Sequence, residues 1–170
     1  MPFDPAGRMY NAALAGGALL DLGVYPVAIS TFFTGKGPLK IQSSGHIGST
    51  GVDETTSIML DYGEIKASLI TSMVAQMQNK AIIFGTKGFI EIPDFYKAYA
   101  ATLYNPERQE IDSFNDNRTT WGYNYETQAV TNDLLAGKKE SDTVSLEKSR
   151  IIQQVLTQVK NQIGLIHPGD

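Results

Sequence analysis

Apolar positions between Gly17 and Phe33 crowd too closely for a helix with one wet face. Leu19, Leu20, Val24, Val27 and Ile29 spread around its circumference, which predicts a helix buried on most sides. Pro26 lacks a backbone N–H and is expected to bend it. Gly35 and Gly37 close it. From residue 39 the period falls toward two. "LKIQSSGHI" (39–47), "DETTSIMLDY" (53–62) and "EIKASLITSM" (64–73) are strand-length runs rich in β-branched residues. "DYGE" (61–64) predicts a hairpin turn in which Gly63 supplies a positive φ. "KAIIFGTKGFIEIP" (80–93) reads as two strands about the turn "GTKG" (85–88). "FYKAYAATLYN" (95–105) and "RQEIDSF" (108–114) continue the antiparallel run through "NPE" (105–107).

The period then lengthens again. In "YNYETQAVTNDLLAGKK" (123–139), Ala129, Val130, Leu134 and Leu135 have helical spacing that stops at Gly137. "SLEKSRIIQQVLTQVKNQIG" (145–164) puts Ile152, Val155, Leu156, Val159 and Ile163 on one stripe, with Ser145 to cap its start and Gly164 its end. Helix, strands, then two helices predict an α+β fold, an open, mainly antiparallel β-sheet with helices packed on one face. A single domain over residues 1–170 is expected, with "MPFDPAG" as an irregular lead-in. The second sheet face must be solvated or paired. Apolar residues on both sides of "AIIF" and "SIML" point to a homodimer or higher oligomer through it.

Composition narrows the classes. With 42% hydrophobic and 19% charged residues the chain is globular. A net charge of −4 without a basic block argues against nucleic acid. Cysteine is absent, which excludes disulfides, thiolate zinc sites and thiol nucleophiles and fits a reducing compartment. No apolar run of membrane-spanning length and no signal-peptide pattern stand out, so a soluble cytoplasmic protein is expected. No G-x-G-x-x-G follows a strand, and there is neither a βαβ alternation nor a Walker loop, so the chain has no usual means of holding a dinucleotide.

Asp21 interrupts the first apolar run, and Tyr25 stands four positions on. Residues at i and i+4 share a helix face. A buried carboxylate needs partners. A phenol becomes a useful acid/base at neutral pH only beside a cation. The spacing therefore fits an acid/base site, with Tyr25 carrying the proton and Asp21 orienting. Spacing alone favours the other reading, an Asp that caps a local amide beside a core aromatic with a satisfied hydroxyl, because D-x-x-x-Y is a very weak pattern. In "TWGYNYE" (120–126), Trp121 and Tyr123 could stack on a sugar or ring, or could pack the loop against the sheet. Arg8 could meet an anionic or hydroxylated substrate, or be solvated. His46 and His167 are too far apart in sequence, and lack a clustered acid, to suggest a metal site.

Taken in order, "GGALLDLGVYP" (16–26), "GVDETTS" (51–57), "FGTKGFIEIP" (84–93), "GYNYETQAVTNDLLAGKKES" (122–141) and "QIGLIHP" (162–168) resemble the C-terminal domain of the Gfo/Idh/MocA family of NAD(P)-dependent oxidoreductases. The similarity is greatest to the dihydrodiol dehydrogenase and xylose dehydrogenase type. Many members have a histidine where this chain has Tyr25. The resemblance implies a two-domain enzyme. An N-terminal Rossmann domain binds NAD or NADP and carries the lysine of a Glu-Lys-Pro motif, while the C-terminal domain supplies the substrate pocket and an open sheet for oligomerisation. It implies that Tyr25 is the general acid/base on a sugar or diol CH–OH group and that Asp21 positions the substrate and the lysine. The Rossmann half is absent here, so the expectation is an excised domain, inactive alone and without bound cofactor. A stand-alone carbohydrate-binding or dimerising module is the rival.

Overall fold

The computed structural model describes residues 2–169. In chain order it has short 3-10 turns at Arg8–Tyr10 and Ala12–Leu14, a π-helical turn at Leu19–Gly23, and α1 (Val24–Thr34). Seven strands follow: β1 (Lys40–Ile47), β2 (Asp53–Asp61), β3 (Lys66–Ser72), β4 (Lys80–Gly85), β5 (Gly88–Pro93), β6 (Ala100–Tyr104) and β7 (Glu110–Asn115). The helices α2 (Tyr123–Leu135) and α3 (Leu146–Ile163) end the chain. All strand pairings are antiparallel, so the α+β class is as expected. The strands, however, form two sheets, β1-β2-β3 and β4-β5-β6-β7. The chain correspondingly divides into two compact units, residues 1–77 with 144–170, and residues 78–143.

The first unit is built on strand alternation against a helix stripe. Thr56, Ile58 and Leu60 of β2 point inward and are buried, while Ser57 and Met59 between them face out. Val155, Leu156 and Val159 of α3 meet them in one core with Leu19, Val27, Ile41 and Tyr62, flanked by Ile152 and Ile163. The stripe read from the sequence is thus the packed face of α3. Its caps are also those expected. The Ser145 hydroxyl accepts the Lys148 N–H at 3.3 Å, and Gly164 closes the helix in the left-handed region. Residues 62–65 turn β2 into β3 with Gly63 at φ 96°, and the Gly63 N–H is held by Asp61 Oδ1 at 2.8 Å.

Two expectations change. The first helix is not buried on most sides, because α1 packs through one stripe only. Val27 and Thr31 are buried, whereas Tyr25, Phe32 and Phe33 are exposed. The helical stretch Ala12–Thr34, 23 residues, is also long and apolar enough by composition to cross a membrane, contrary to the sequence reading. Its Leu19 and Val27 instead lie in the core with Ile58 and Leu60, the position of a core helix in a folded domain.

The second unit is a four-stranded meander. Phe89 of β5 stacks on Tyr104 of β6 with ring centroids 4.9 Å apart, and Phe84 of β4 lies 5.8 Å from Phe89 on the other side. These are cross-strand pairs of the kind that hold sheets together. Helix α2 forms at the expected place, but Val130, Leu134 and Leu135 of its apolar stripe are exposed.

Leu60 is 1% exposed, so Leu60→Ala is expected to cost about 2–5 kcal/mol of stability by urea denaturation. Ile111→Ala, at 58% exposure, should change it by less than about 0.5 kcal/mol.

Candidate active site

The site starts from two glycines. Gly17 adopts φ 120°, and a Cβ there would run into Asp53 Oδ1. A Cβ on Gly16 would lie 2.5 Å from the Arg8 carbonyl oxygen and 2.6 Å from that of Met9. Only a chain without side chains can pass between these groups. The Gly17 N–H donates to the Met9 carbonyl at 2.9 Å, which ties the Arg8 turn to the start of the helix.

Asp53, the first residue of β2, is 0% exposed. Its Oδ2 accepts the Leu19 N–H at 2.8 Å and the Thr56 hydroxyl at 2.7 Å. Leu19 lies in the first turn, where backbone donors have no partner inside the helix. Burial pushes the Asp53 carboxyl above its ordinary range, opposed by the Thr56 and Leu19 hydrogen bonds and by the charge of His167. His167 is itself buried. Its Nε2 donates to the Gly16 carbonyl at 2.9 Å, so that nitrogen carries the hydrogen.

From Leu19 the backbone makes a π-turn to Gly23 before α1 begins. Pro26 has no N–H to return to the Leu22 carbonyl, and its ring would crowd that group. A wider turn just upstream relieves both, and such turns recur at functional sites. Asp21 sits inside the π-turn and Tyr25 in the first turn of α1, about one turn apart. The Arg8 Nη2 donates to Asp21 Oδ1 at 2.6 Å, with both side chains in part exposed. Tyr25 is 46% exposed. Three of the residues singled out from the sequence thus gather in one unit, two of them in direct contact.

Trp121 and Tyr123 lie in the second unit. Trp121 is 73% exposed and the Lys97 ammonium lies 4.4 Å from its ring centroid. Tyr123 opens α2 and is also exposed. Arg118 lies between the Tyr99 and Tyr125 rings, 5.9 Å from each centroid. The loop therefore presents open aromatic faces edged by cations. His46 is exposed on β1 and 3.8 Å from Glu54. Among the described residues no three His, Cys, Asp or Glu side chains gather as a metal site would need.

Sequence reasoning missed Asp53, Thr56 and the use made of His167. Asp53 was visible inside "GVDETTS" (51–57), but its partner Leu19 lies 34 residues away. No local pattern joins them.

A family model for the GFO/IDH/MocA C-terminal domain matches residues 1–91. The chain belongs to the Gfo/Idh/MocA family. Within it, the chain is similar to the trans-1,2-dihydrobenzene-1,2-diol dehydrogenase of Xenopus laevis, 35% identical over 98% of this chain and 53% of that relative. The chain thus spans about half the length of the curated relatives it matches. The fold is shared with the aldose-aldose oxidoreductase of Caulobacter crescentus, solved with glycerol, at TM-score 0.79 and 18% identity over 95% of this chain and 50% of that one. It is shared also with a 3-ketoreductase of Actinomadura kijaniata solved with NADP, at TM-score 0.70 and 19% identity over 86% of this chain and 48% of that one. The Gfo/Idh/MocA assignment places the Asp21 and Tyr25 helix in an oxidoreductase family.

The Asp53 carboxyl sets a pH dependence. Because burial raises its folded-state value above the ordinary 3.8, the folded protein holds that proton to higher pH than the unfolded chain. Stability should therefore fall as pH rises from 3.8 through the folded-state value. In Asp53→Asn that decline is expected to vanish, read as the difference between variant and parent in denaturant midpoints across a pH series.

Proposed function

We propose that this chain is the substrate-binding and oligomerisation domain of an NAD(P)-dependent oxidoreductase acting on a CH–OH group of a sugar or diol. The carrying observation is the Arg8–Asp21 ion pair about one helical turn from a solvent-reaching Tyr25. In a member of this family that arrangement supplies a proton carrier and a held carboxylate on one helix. Tyr25 gives a proton to the substrate oxygen or takes one from it. Asp21 accepts a substrate hydroxyl, and Arg8, donating to one of its two oxygens, keeps it aimed. In the second unit, taken by itself, Trp121 and Tyr123 are exposed aromatic faces of the kind that stack on the apolar side of a ring.

The fit to a nicotinamide cofactor rests on access. The Tyr25 ring reaches solvent, so a cofactor carried by a Rossmann domain of the same polypeptide could approach the carbon beside it. When bound, NAD or NADP would exchange a hydride with that carbon. On this reading the 170 residues alone are inactive and hold no cofactor. The partners are the small-molecule substrate, the Rossmann domain and a second copy of the chain, with neither nucleic acid nor membrane involved. Met59 and Ile70 on the outer face of the first sheet support the contact between copies. The cysteine-free composition supports the cytoplasm as its location.

Three measurements check this reading. In the complete polypeptide, Tyr25→Phe should lower kcat by about 10²–10⁴-fold, and unchanged turnover would overturn the catalytic role. The upstream coding region should encode a Rossmann fold with a Glu-Lys-Pro motif, whereas a start codon at Met1 with nothing before it would favour a stand-alone module. Sedimentation at micromolar concentration should give a species larger than 18.5 kDa, and a monomer alone would count against the dimer.

A further inference from the structure

We propose that Asp53 is a positioning residue for the helix that carries Asp21 and Tyr25. The inference rests on the functional reading of that helix and adds what aims it. Among the described residues Asp53 makes no hydrogen bond or ion pair to Asp21 or Tyr25. It acts through Leu19, two residues before Asp21 and six before Tyr25. Its Oδ2 takes the Leu19 N–H at 2.8 Å and the Thr56 hydroxyl at 2.7 Å. The second bond locks the carboxylate that makes the first.

Stability alone does not account for a carboxylate here. Asp53 Oδ1 is buried without a hydrogen-bonding partner, and a buried, unsatisfied oxygen destabilises the fold. A local rule broken at a buried position points to a functional constraint. The constraint is geometric. The π-turn from Leu19 runs straight into α1, so any rotation of its first residues is carried to both functional side chains. The same anchor reaches the other half of the ion pair. Asp53 fills the space a side chain on Gly17 would need, the Gly17 N–H bonds the Met9 carbonyl next to Arg8, and His167 grips the Gly16 carbonyl at 2.9 Å. Asp53 thus sets both Arg8 and Asp21, which meet at 2.6 Å, from one buried point.

The test compares Asp53→Asn, Asp53→Leu, Thr56→Val and Tyr25→Phe. The Asn amide oxygen still accepts from Leu19 and Thr56, and the Leu side chain has similar size and no acceptor. In the complete enzyme, Asp53→Leu should lower kcat at least about thirtyfold with KM within about threefold, and Asp53→Asn should restore kcat to within about threefold of the parent. Thr56→Val should lie between them. A folded Asp53→Leu enzyme with parental kcat overturns the inference. If that variant does not fold, parental kcat in Thr56→Val overturns it instead. Tyr25→Phe separates the two levels. Loss of turnover in Tyr25→Phe with parental Asp53→Leu refutes only the positioning role, whereas an active Tyr25→Phe refutes the underlying reading. In that last case the positioning is read without turnover, from the Arg8 guanidinium NMR signals of this chain. These should be distinct in the parent and Asp53→Asn and averaged in Asp53→Leu and Thr56→Val. Unchanged signals in the folded variants overturn the inference.

Discussion

One oxygen atom of a carboxylate with no exposed surface, Asp53 Oδ2, accepts two hydrogen bonds, and the candidate site is built outward from it. A helix start needs an acceptor for donors that its own backbone cannot satisfy. Here the acceptor comes from the first residue of a strand in the core, so the sheet dictates where the helix begins. The glycines upstream make this possible by leaving room for the carboxylate on one side and for the Arg8–Met9 backbone on the other. Any side chain at Gly17 would break the arrangement twice, through its φ of 120° and through collision with Asp53.

Buried and exposed groups divide the labour. Asp53, Thr56 and His167 are buried and hydrogen-bonded around the start of the helix. Arg8, Asp21 and Tyr25 reach solvent. The Arg8–Asp21 pair adds little to stability, because exposed ion pairs contribute about 0–1 kcal/mol. Its effect is to hold the Asp21 carboxylate in one orientation, about one helical turn from Tyr25. The π-turn under Asp21 belongs to the same logic. It accommodates Pro26 while keeping Asp21 and Tyr25 about one turn apart. The second unit presents open aromatic faces at Trp121 and Tyr123, with Lys97 and Arg118 among the rings.

Much of the fold was legible because it follows from local periodicity. Val155, Leu156 and Val159 recur at helical spacing and form the buried face of α3. Ser145 and Gly164 cap it as their side-chain chemistry requires. Gly63 marks its turn because few other residues tolerate that φ. Where one residue type fits two environments, the pattern misleads. The apolar run around α1 suggested burial on most sides, yet Phe32 and Phe33 are exposed. Hydrophobicity states a preference, and the neighbours present decide whether it is met. The division of the strands into two sheets was not legible either, since alternation shows which face a residue occupies and not where pairing stops.

By itself the sequence determined the element types, the caps and turns, and the motif order that relates this chain to the Gfo/Idh/MocA family, because those depend on residues a few positions apart. It also put Asp21 and Tyr25 one helical turn from each other. Only the tertiary structure decided that Arg8 closes on Asp21 across 13 residues, that Asp53 reaches Leu19 across 34, and that His167 returns to Gly16 across 151. The physical reason is that a hydrogen bond depends on distance in space. The packing of the sheet against α1 and α3 sets that distance, and the one-dimensional pattern of the chain does not contain it.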